Sequence, residues 1–369
     1  MSTDTKKPAS KVDEDLQVKL RKIREVKDIL GPLPEKQSIF CTDAAISRYL
    51  RARNWHVRKA VKMLKETLKW RSEYKPEEIR WEDVAQEADT GKVYRSNFVD
   101  KQGRTVLVLR PSRQNSSSTK NQIKYFVYCM ENAILNLPVN QEQMVWLIDF
   151  DDFSLKNISV AVTRDTAHVL QEHYPERLSV AIMFNPPKIF EKFWPAVKPF
   201  LEHRTRNKVK FVYPNNADSM KILEELFDMD CLESCFGGNN TEKFDIQKYA
   251  ERMKEDDKRM PLFWTKTHVT ADTATDLVSM LSLDNSDKGS KSDAEVDESG
   301  GEEKGEGSVN VGKSDAEVNE SVGDANREGS ENVGKSDAEV DESGGEEKRA
   351  NASDVAEDHE AAKYVKQEA

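Results

Sequence analysis

Strand patterns that are apolar on both faces alternate along this chain with amphipathic helix patterns. The segments 106–109, 144–150 and 179–184 are predicted strands of this kind, and predicted helices over 121–137 and 158–172 separate them. A strand that is apolar on both faces belongs to a sheet covered by helices on both sides, and such sheets are largely parallel. The alternation therefore predicts an α/β fold with a mostly parallel sheet.

Three successive helix patterns before the first strand predict a small helical subdomain. The first runs from Asp13 to Leu30 and stops at Gly31-Pro32, where neither residue favours a further helical turn. The second begins at Thr42-Asp43, which are good N-caps, and the third begins at Val57. A glycine-containing turn then joins the segments 93–98 and 104–109, which predicts a hairpin.

Composition changes sharply near residue 270. Residues 271–369 carry 28 acidic and 10 basic side chains and a single aromatic residue, Tyr364, whereas residues 1–270 have a net charge of +7. The hexapeptide KSDAEV recurs at 291, 313 and 335, but each 22-residue unit offers too few apolar side chains to stack, which favours a disordered acidic tail. The predicted divisions are a polar leader with the first helix (1–35), a helical subdomain (36–90), an α/β domain (91–245), a C-terminal helix (246–270) and the tail (271–369).

The helix pattern that follows Pro186-Pro187 is unusually aromatic. Its apolar residues recur at spacings of three and four, and they are Ile189, Phe190, Phe193, Trp194, Val197 and Phe200. Lys188, Lys192 and Lys198 occupy the opposite side. Pro195 and Pro199 lie inside the pattern and each removes a backbone donor, which predicts a kinked helix. Two interpretations stay open, a movable apolar lid and an ordinary helix that covers a sheet.

Motifs for catalysis or for cofactor binding are absent. The chain has no Walker, dinucleotide-binding, nucleophile-elbow or zinc-protease motif, so we expect no enzyme activity, no metal and no cofactor. Asp149, Asp151 and Asp152 follow a predicted strand, where they form either a metal or acid–base site or a solvated loop. The four cysteines lack zinc-site spacing and are expected to be reduced thiols.

Six strings in order give the chain a recognisable likeness. They are RYLRARNWHVRKAVKMLKETLKWR (48–71), WLIDF (146–150), HYPERL (173–178), FNPPKIFEKFWPAVKPFL (184–201), TRNKVKFV (205–212) and CFGG (235–238). Together they resemble the CRAL-TRIO family, specifically its phosphatidylinositol-transfer members. The resemblance implies that the sheet forms the floor of a lipid cavity, closed by a mobile gate helix over residues 189–201.

The resemblance also implies a phosphatidylinositol headgroup site made of Arg53, Glu176, Thr205 and Lys208, which we call the headgroup cluster. These residues match the family pattern one by one, and they offer two cations, a hydroxyl and a carboxylate to a phosphorylated polyol. Where phosphatidylcholine-transfer members carry two hydroxyl residues, this chain has Met144 and Trp146. Both are expected to line the cavity, so a second ligand would be a different apolar lipid.

We therefore expect a monomeric, cytoplasmic protein that carries phosphatidylinositol as a bound ligand and exchanges it at membrane surfaces, with no nucleic-acid partner. It could also present the lipid to lipid kinases. Two alternatives remain open at this point. One is a binder of a small isoprenoid such as a retinoid or tocopherol, and the other is a signalling scaffold in which the acidic repeats are the active part.

Overall fold

The computed structural model describes residues 11–265, except 155, 157 and 158, together with residue 281. Most of the predicted acidic tail, including its repeats, lies outside the described residues. The helices of the described part are α1 (Lys11–Leu30), α2 (Glu35–Phe40), α3 (Asp43–Ala52), α4 (Val57–Tyr74), α5 (Trp81–Ala88), α6 (Thr119–Leu135), α7 (Val160–His173), α8 (Lys188–Val197), α9 (His203–Asn207), α10 (Ala217–Leu226) and α11 (Ile246–Phe263). The strands are β1 (Val93–Val99), β2 (Thr105–Leu109), β3 (Met144–Asp149), β4 (Leu178–Phe184) and β5 (Val209–Val212).

The five strands form one sheet in the order β1-β2-β3-β4-β5. β1 and β2 form an antiparallel hairpin, and every later neighbour pairs in parallel. Gly103 lies in the hairpin turn with a φ of +74°, a conformation that glycine adopts without steric cost. The predicted α/β fold with a mostly parallel sheet is thus confirmed.

Both faces of the sheet are covered, as the apolar strand patterns predicted. In β4, Val180 and Ile182 contribute to the main core, while Ala181 and Met183 contribute to a second apolar cluster on the other face. This alternation follows from the two-residue repeat of a strand. Helix α6 packs on the main-core side against β1 and β2, whereas α8 contributes to the second cluster. The aromatic helix predicted from sequence therefore covers the second face.

The N-terminal helices α1, α3 and α4 share a core of their own. Ile23, Leu50 and Leu64 are buried in it, and the Thr42 side chain caps α3 by accepting a hydrogen bond from the Ala45 amide at 3.1 Å. The predicted succession of helices is confirmed. Helices α2 and α5 were not predicted because segments of six and eight residues are too short for a clear periodic pattern.

Gly238 supports a backbone approach that no other residue permits. A Cβ atom at this position would collide with the carbonyl oxygen of Leu232, a residue that is fully buried in the main core. We expect Gly238→Ala to lower the free energy of unfolding by about 3 kcal/mol or more, because backbone atoms must shift to admit a methyl group. Urea denaturation would measure this loss.

Gly31→Ala is the matched control for this prediction. Gly31, unlike Gly238, has a positive φ of +67°, and nothing lies within 4 Å of a Cβ built there. Its replacement should therefore cost only the conformational term of about 1–2 kcal/mol. Equal losses in the two variants would contradict the steric argument.

Candidate functional site

Helix α8 lies across the second face of the sheet. Phe190 is buried against Phe150 and Phe153, with ring centroids 4.4 and 5.9 Å apart, and Trp194 packs edge-on against Phe211 of β5 at 5.7 Å. The α-helix continues through Pro195 to Val197 and then tightens into a 3-10 turn over Lys198–Phe200. The apolar side of α8 thus covers the sheet through aromatic contacts.

The outer side of α8 and of the 3-10 turn after it is basic and solvent-exposed. Lys188, Lys192 and Lys198 are all exposed, and none has a carboxylate of the described residues within 4 Å. Ile189 is 48% exposed on the same helix. The Phe193 side chain lies outside the described part of the structure, and Phe200 is partly buried. This segment therefore presents three lysine ammonium groups to solvent.

Met144 and Trp146 are both in β3 but have different surroundings. Met144 is fully buried in the main core. Trp146 contacts both the main core and the cluster under α8, and its ring packs edge-on against Phe126 at 5.7 Å. Its indole Nε1 is buried and has no hydrogen-bond partner among the described residues. Of the two residues, Trp146 is the one that reaches the side covered by α8.

Glu176 and Lys208 meet beside the ends of β4 and β5. Glu176 precedes β4 with a φ of +59°, a left-handed conformation that is uncommon for a residue with a side chain. Lys208 caps α9 immediately before β5, and its Nζ lies 3.4 Å from Glu176 Oε2. Because both residues are mostly buried and stand at neighbouring parallel strands, residues 32 positions apart come into contact.

The other two residues of the headgroup cluster are close by. Thr205 lines the same small gap as Glu176 and Lys208. Arg53, the C-cap residue of α3, does not line the gap, but its guanidinium lies 3.0 Å from the carboxylate of Glu202, which does. Three of the four residues predicted from sequence therefore share one gap, and the fourth is joined to it through one ion pair.

Two further residues of this gap were not found by sequence reasoning. Glu202 accepts from Arg53, and Arg204 lies 3.5 Å from Glu176 while donating to the backbone carbonyl of Arg51 at 2.7 Å. Both precede Thr205 at the start of α9, a helix of five residues that is too short to give a periodic signal. The polar, charge-rich run directly before β5 was the only available indication.

The gap itself is small, with a volume of 30 Å³. That is room for about two or three water molecules, so an inositol ring requires the surrounding side chains to separate. Each cation here already has a carboxylate partner, since Arg53 pairs with Glu172 and Glu202, and Lys208 pairs with Glu176. An entering phosphate must therefore replace a carboxylate rather than find a free cation.

Of the three aspartates at the end of β3, Asp149 is engaged within the protein, whereas Asp151 and Asp152 are exposed. Asp149 is buried and lies 3.2 Å from Nε of Arg110, and its other oxygen accepts from the amide of Asp151. Within the described residues, no group of three potential metal ligands comes together. The four cysteines are free thiols, as expected. None of the helices in the described residues has the length and apolarity required to span a bilayer.

Two family models match this chain. The CRAL/TRIO domain matches residues 88–238, which include β1 to β5 and α8, and the CRAL/TRIO N-terminal domain matches residues 20–66. The crystal structure of Sfh5 superposes with a TM-score of 0.51 at 17% identity, covering 68% of this chain and 92% of that chain. That likeness concerns the fold.

Two relatives each match about six tenths of this chain. The chain is 34% identical over 224 residues to the CRAL-TRIO domain-containing protein C23B6.04c of Schizosaccharomyces pombe, which is 60% of this chain and 21% of that protein. It is 29% identical over 247 residues to the phosphatidylinositol transfer protein PDR17 of Saccharomyces cerevisiae, which is 63% of this chain and 68% of that protein. The match thus spans between a fifth and two thirds of these relatives.

Proposed function

Because this chain belongs to the CRAL-TRIO family of lipid-binding proteins, we propose that it binds phosphatidylinositol and transfers it between membranes. The observation that carries the proposal is the contact of Glu176 with Lys208 in a gap that Thr205 also lines. Arg53 is joined to this gap by its ion pair with Glu202. The similarity to a phosphatidylinositol transfer protein supports the same ligand. No covalent step is involved.

The headgroup decides the specificity in this proposal. Burying two acyl chains gains about 0.8 kcal/mol per methylene, but a bilayer provides the same gain, so cavity and membrane nearly cancel. The remaining preference comes from charge-assisted hydrogen bonds of about 1.5–3 kcal/mol each. In the headgroup cluster, Arg53 and Lys208 would bind phosphate oxygens and Glu176 would accept from ring hydroxyls.

The acyl chains would lie between the sheet and α8, with Trp146 and Phe190 beside them. Entry requires α8 to move away from Phe150 and Phe211, which now contact its aromatic side chains. A membrane surface favours that movement because exposed aromatic rings are stable at the interface and lysines are attracted to anionic lipids. The chain would then work as a cytoplasmic monomer with transient membrane contact, and it could present the lipid to a lipid kinase.

Glu202 should act as an internal competitor of the lipid phosphate. The Glu202 carboxylate forms an ion pair with Arg53 in this structure. Because the Glu202 side chain is 40% exposed, removing its charge should cost little stability. We expect Glu202→Gln to tighten phosphatidylinositol binding several-fold, because the phosphate no longer displaces a charged partner. Equilibrium binding to a fluorescent phosphatidylinositol would measure the gain.

Glu225→Gln is a suitable control for that prediction, since it removes one exposed carboxylate from α10 and leaves the headgroup cluster unchanged. A gain of equal size in both variants would point to a general effect of net charge. Unchanged or weaker binding in Glu202→Gln would contradict the proposed competition.

The three lysines of α8 and its 3-10 turn should determine binding to anionic membranes. Replacing Lys188, Lys192 and Lys198 with Gln should weaken binding to vesicles containing anionic phospholipid by roughly 100-fold at low salt, at about 1 kcal/mol per lysine near the surface. Cosedimentation with vesicles at low and high salt would measure it, since screening should reduce the difference.

A triple Gln variant on α4 is the control for these lysines. Lys62, Lys65 and Lys69 are exposed on one helix and reproduce the change in net charge. If this variant lost as much vesicle binding as the first, the basic body as a whole rather than α8 would be the membrane contact.

Lipid selection tests the proposed function directly. The full-length protein would be incubated with vesicles containing phosphatidylinositol, phosphatidylcholine and tocopherol, reisolated, and its bound lipid identified by mass spectrometry. We expect phosphatidylinositol to be enriched about tenfold or more over phosphatidylcholine relative to the donor vesicles. Preferential recovery of tocopherol would favour the isoprenoid alternative, and recovery of no lipid would favour the scaffold; either result would overturn the proposal.

A further inference from the structure

A second and larger cavity lies where the helical subdomain meets the α/β domain. It has a volume of 270 Å³, which is close to the lower end of typical ligand pockets at roughly 300 Å³. We call it the junction cleft. It is lined by α2, by α3, by Arg71 of α4 and by the segment from α6 to β3, and also by residues 173–175, Arg177 and the end of α11.

The lining of the junction cleft carries an excess of positive charge. Among the described residues, its charged side chains are Arg48, Arg71, Arg177, Glu131 and Glu142. Three arginines therefore face two carboxylates. His173 also lines the cleft, but burial, with the nearby charges of His168 and Arg71, lowers its pKa to about 3, so it is neutral near pH 7. The described part of the lining therefore has a net charge of +1.

Among the described residues, Arg177 is the arginine of the lining that forms no salt bridge. Arg48 is paired with Glu142, and Arg71 is paired with Glu131 at 2.7 Å. Arg177 donates to the backbone carbonyl of Glu142 at 3.0 Å, but no carboxylate oxygen of the described residues lies within 4 Å of it. Burial and the like charge of Arg48 lower its pKa to about 9, although the more distant carboxylates of Glu142 and Glu131 act in the opposite direction. A guanidinium in these surroundings is costly unless an anion compensates it.

The rest of the junction cleft is apolar and aromatic. Phe40 and Trp264 stack with centroids 6.2 Å apart, and the Arg71 guanidinium lies over both rings. The Trp264 Nε1 is buried and finds no acceptor among the described residues. Val139 forms part of the rim and is 79% exposed, which leaves an apolar side chain in contact with solvent. A ligand here would need an apolar body and a group that accepts hydrogen bonds.

We propose that the junction cleft binds a small organic anion, with one carboxylate or phosphate ester on Arg177 and an apolar or aromatic body against Phe40 and Trp264. The site is independent of the proposed lipid transfer. It is adjacent to the gap of the headgroup cluster, because Tyr174 and Pro175 line both cavities. Of the next two residues, Glu176 lines the gap and Arg177 lines the junction cleft. The positive φ of Glu176 accompanies this divergence of two consecutive side chains.

Binding of 2-naphthoate to the full-length protein tests the site. This probe has one carboxylate on an aromatic body, and 2-naphthamide is its neutral counterpart. Isothermal titration calorimetry should show binding of the acid, at least about tenfold weaker binding of the amide, and a similar loss for Arg177→Met, because each change removes a charge-assisted hydrogen bond. Absence of naphthoate binding, or equal affinity in the wild type and Arg177→Met, would overturn the proposal.

Further variants distinguish binding in the junction cleft from binding elsewhere on the protein. Arg252→Met removes another partly buried arginine that donates to backbone carbonyls, but Arg252 does not line the cleft, so this variant should retain naphthoate affinity. Lys208→Ala should also retain it, whereas a loss there would place the probe in the headgroup cluster and refute the assignment. If Arg177→Met fails to fold, Val139→Asp supplies the test, since an acidic rim at this exposed position should weaken naphthoate binding and an unchanged affinity would refute the site.

Discussion

A variant that combines Glu176→Ala with Lys208→Ala is expected to lose phosphatidylinositol transfer between vesicles, with a fall of more than about 100-fold. Under the proposed function each side chain supplies a charge-assisted contact of about 1.5–3 kcal/mol to the headgroup, and the loss of both removes most of the preference for the lipid over the bilayer. Transfer of radiolabelled or fluorescent phosphatidylinositol from donor to acceptor vesicles is the measurement.

The fold should survive this double substitution. Glu176 and Lys208 contact each other at 3.4 Å, so the double variant removes both members of the ion pair and leaves no unpaired charge from it. The other ion pair lost among the described residues is that of Glu176 with Arg204, whose side chain is half exposed. The free energy of unfolding should change by about 1 kcal/mol or less. Asp218→Ala with Lys221→Ala, an exposed ion pair on α10, is the control that should transfer normally. Normal transfer by the Glu176 and Lys208 double variant in folded form would refute the headgroup assignment.

Much of this fold follows from local pattern. The apolar strands β2, β3 and β4, the Thr42 cap of α3 and the stop of α1 at Gly31 were all predicted, because each depends on residues that are adjacent in sequence or one helical turn apart. The short helices α5 and α9 were missed because they contain too few residues for periodicity to be recognised. Glu202 and Arg204 were missed with α9.

The candidate site is predictable only in part, for a different reason. Glu176 and Lys208 come together because β4 and β5 are parallel neighbours, and sequence spacing alone does not reveal that pairing. The resemblance to a family supplied it instead. The junction cleft could not be predicted in this way, because Arg48 and Glu142, which pair in it, are 94 residues apart in sequence. Arg177 lies in the string HYPERL, from which only its neighbour Glu176 was assigned a role. Charge balance in a cavity becomes visible only when the distances are known.

Glu142 links the helical subdomain to the α/β domain through ion pairs with α3, so we expect its substitution to destabilise their contact strongly. It accepts from Arg48 and from Arg51, the latter at 2.5 Å, and its backbone carbonyl accepts from Arg177. Both arginines of α3 are mostly buried. Removal of the carboxylate would leave the buried Arg48 without its counter-charge, and deleting one partner of a buried pair typically costs about 3–5 kcal/mol. We therefore expect Glu142→Ala to lower the free energy of unfolding by about 3–5 kcal/mol at pH 7.

The pH dependence gives this prediction a second readout. Burial raises the pKa of Glu142, but the charges of Arg48, Arg51 and Arg177 outweigh it and lower the pKa from 4.5 to about 2. The unfolded state therefore binds more protons than the folded state between these values, so the stability due to Glu142 is present above pH 4.5 and declines as the pH falls toward 2. Urea denaturation should show a large difference between wild type and Glu142→Ala at about pH 7 that narrows at about pH 3. Glu78→Ala is the control, because it breaks an exposed ion pair with Lys36 and should lower the free energy of unfolding by less than about 1 kcal/mol. If Glu142→Ala lost no more stability than this control, the arginines of α3 would not depend on the Glu142 carboxylate.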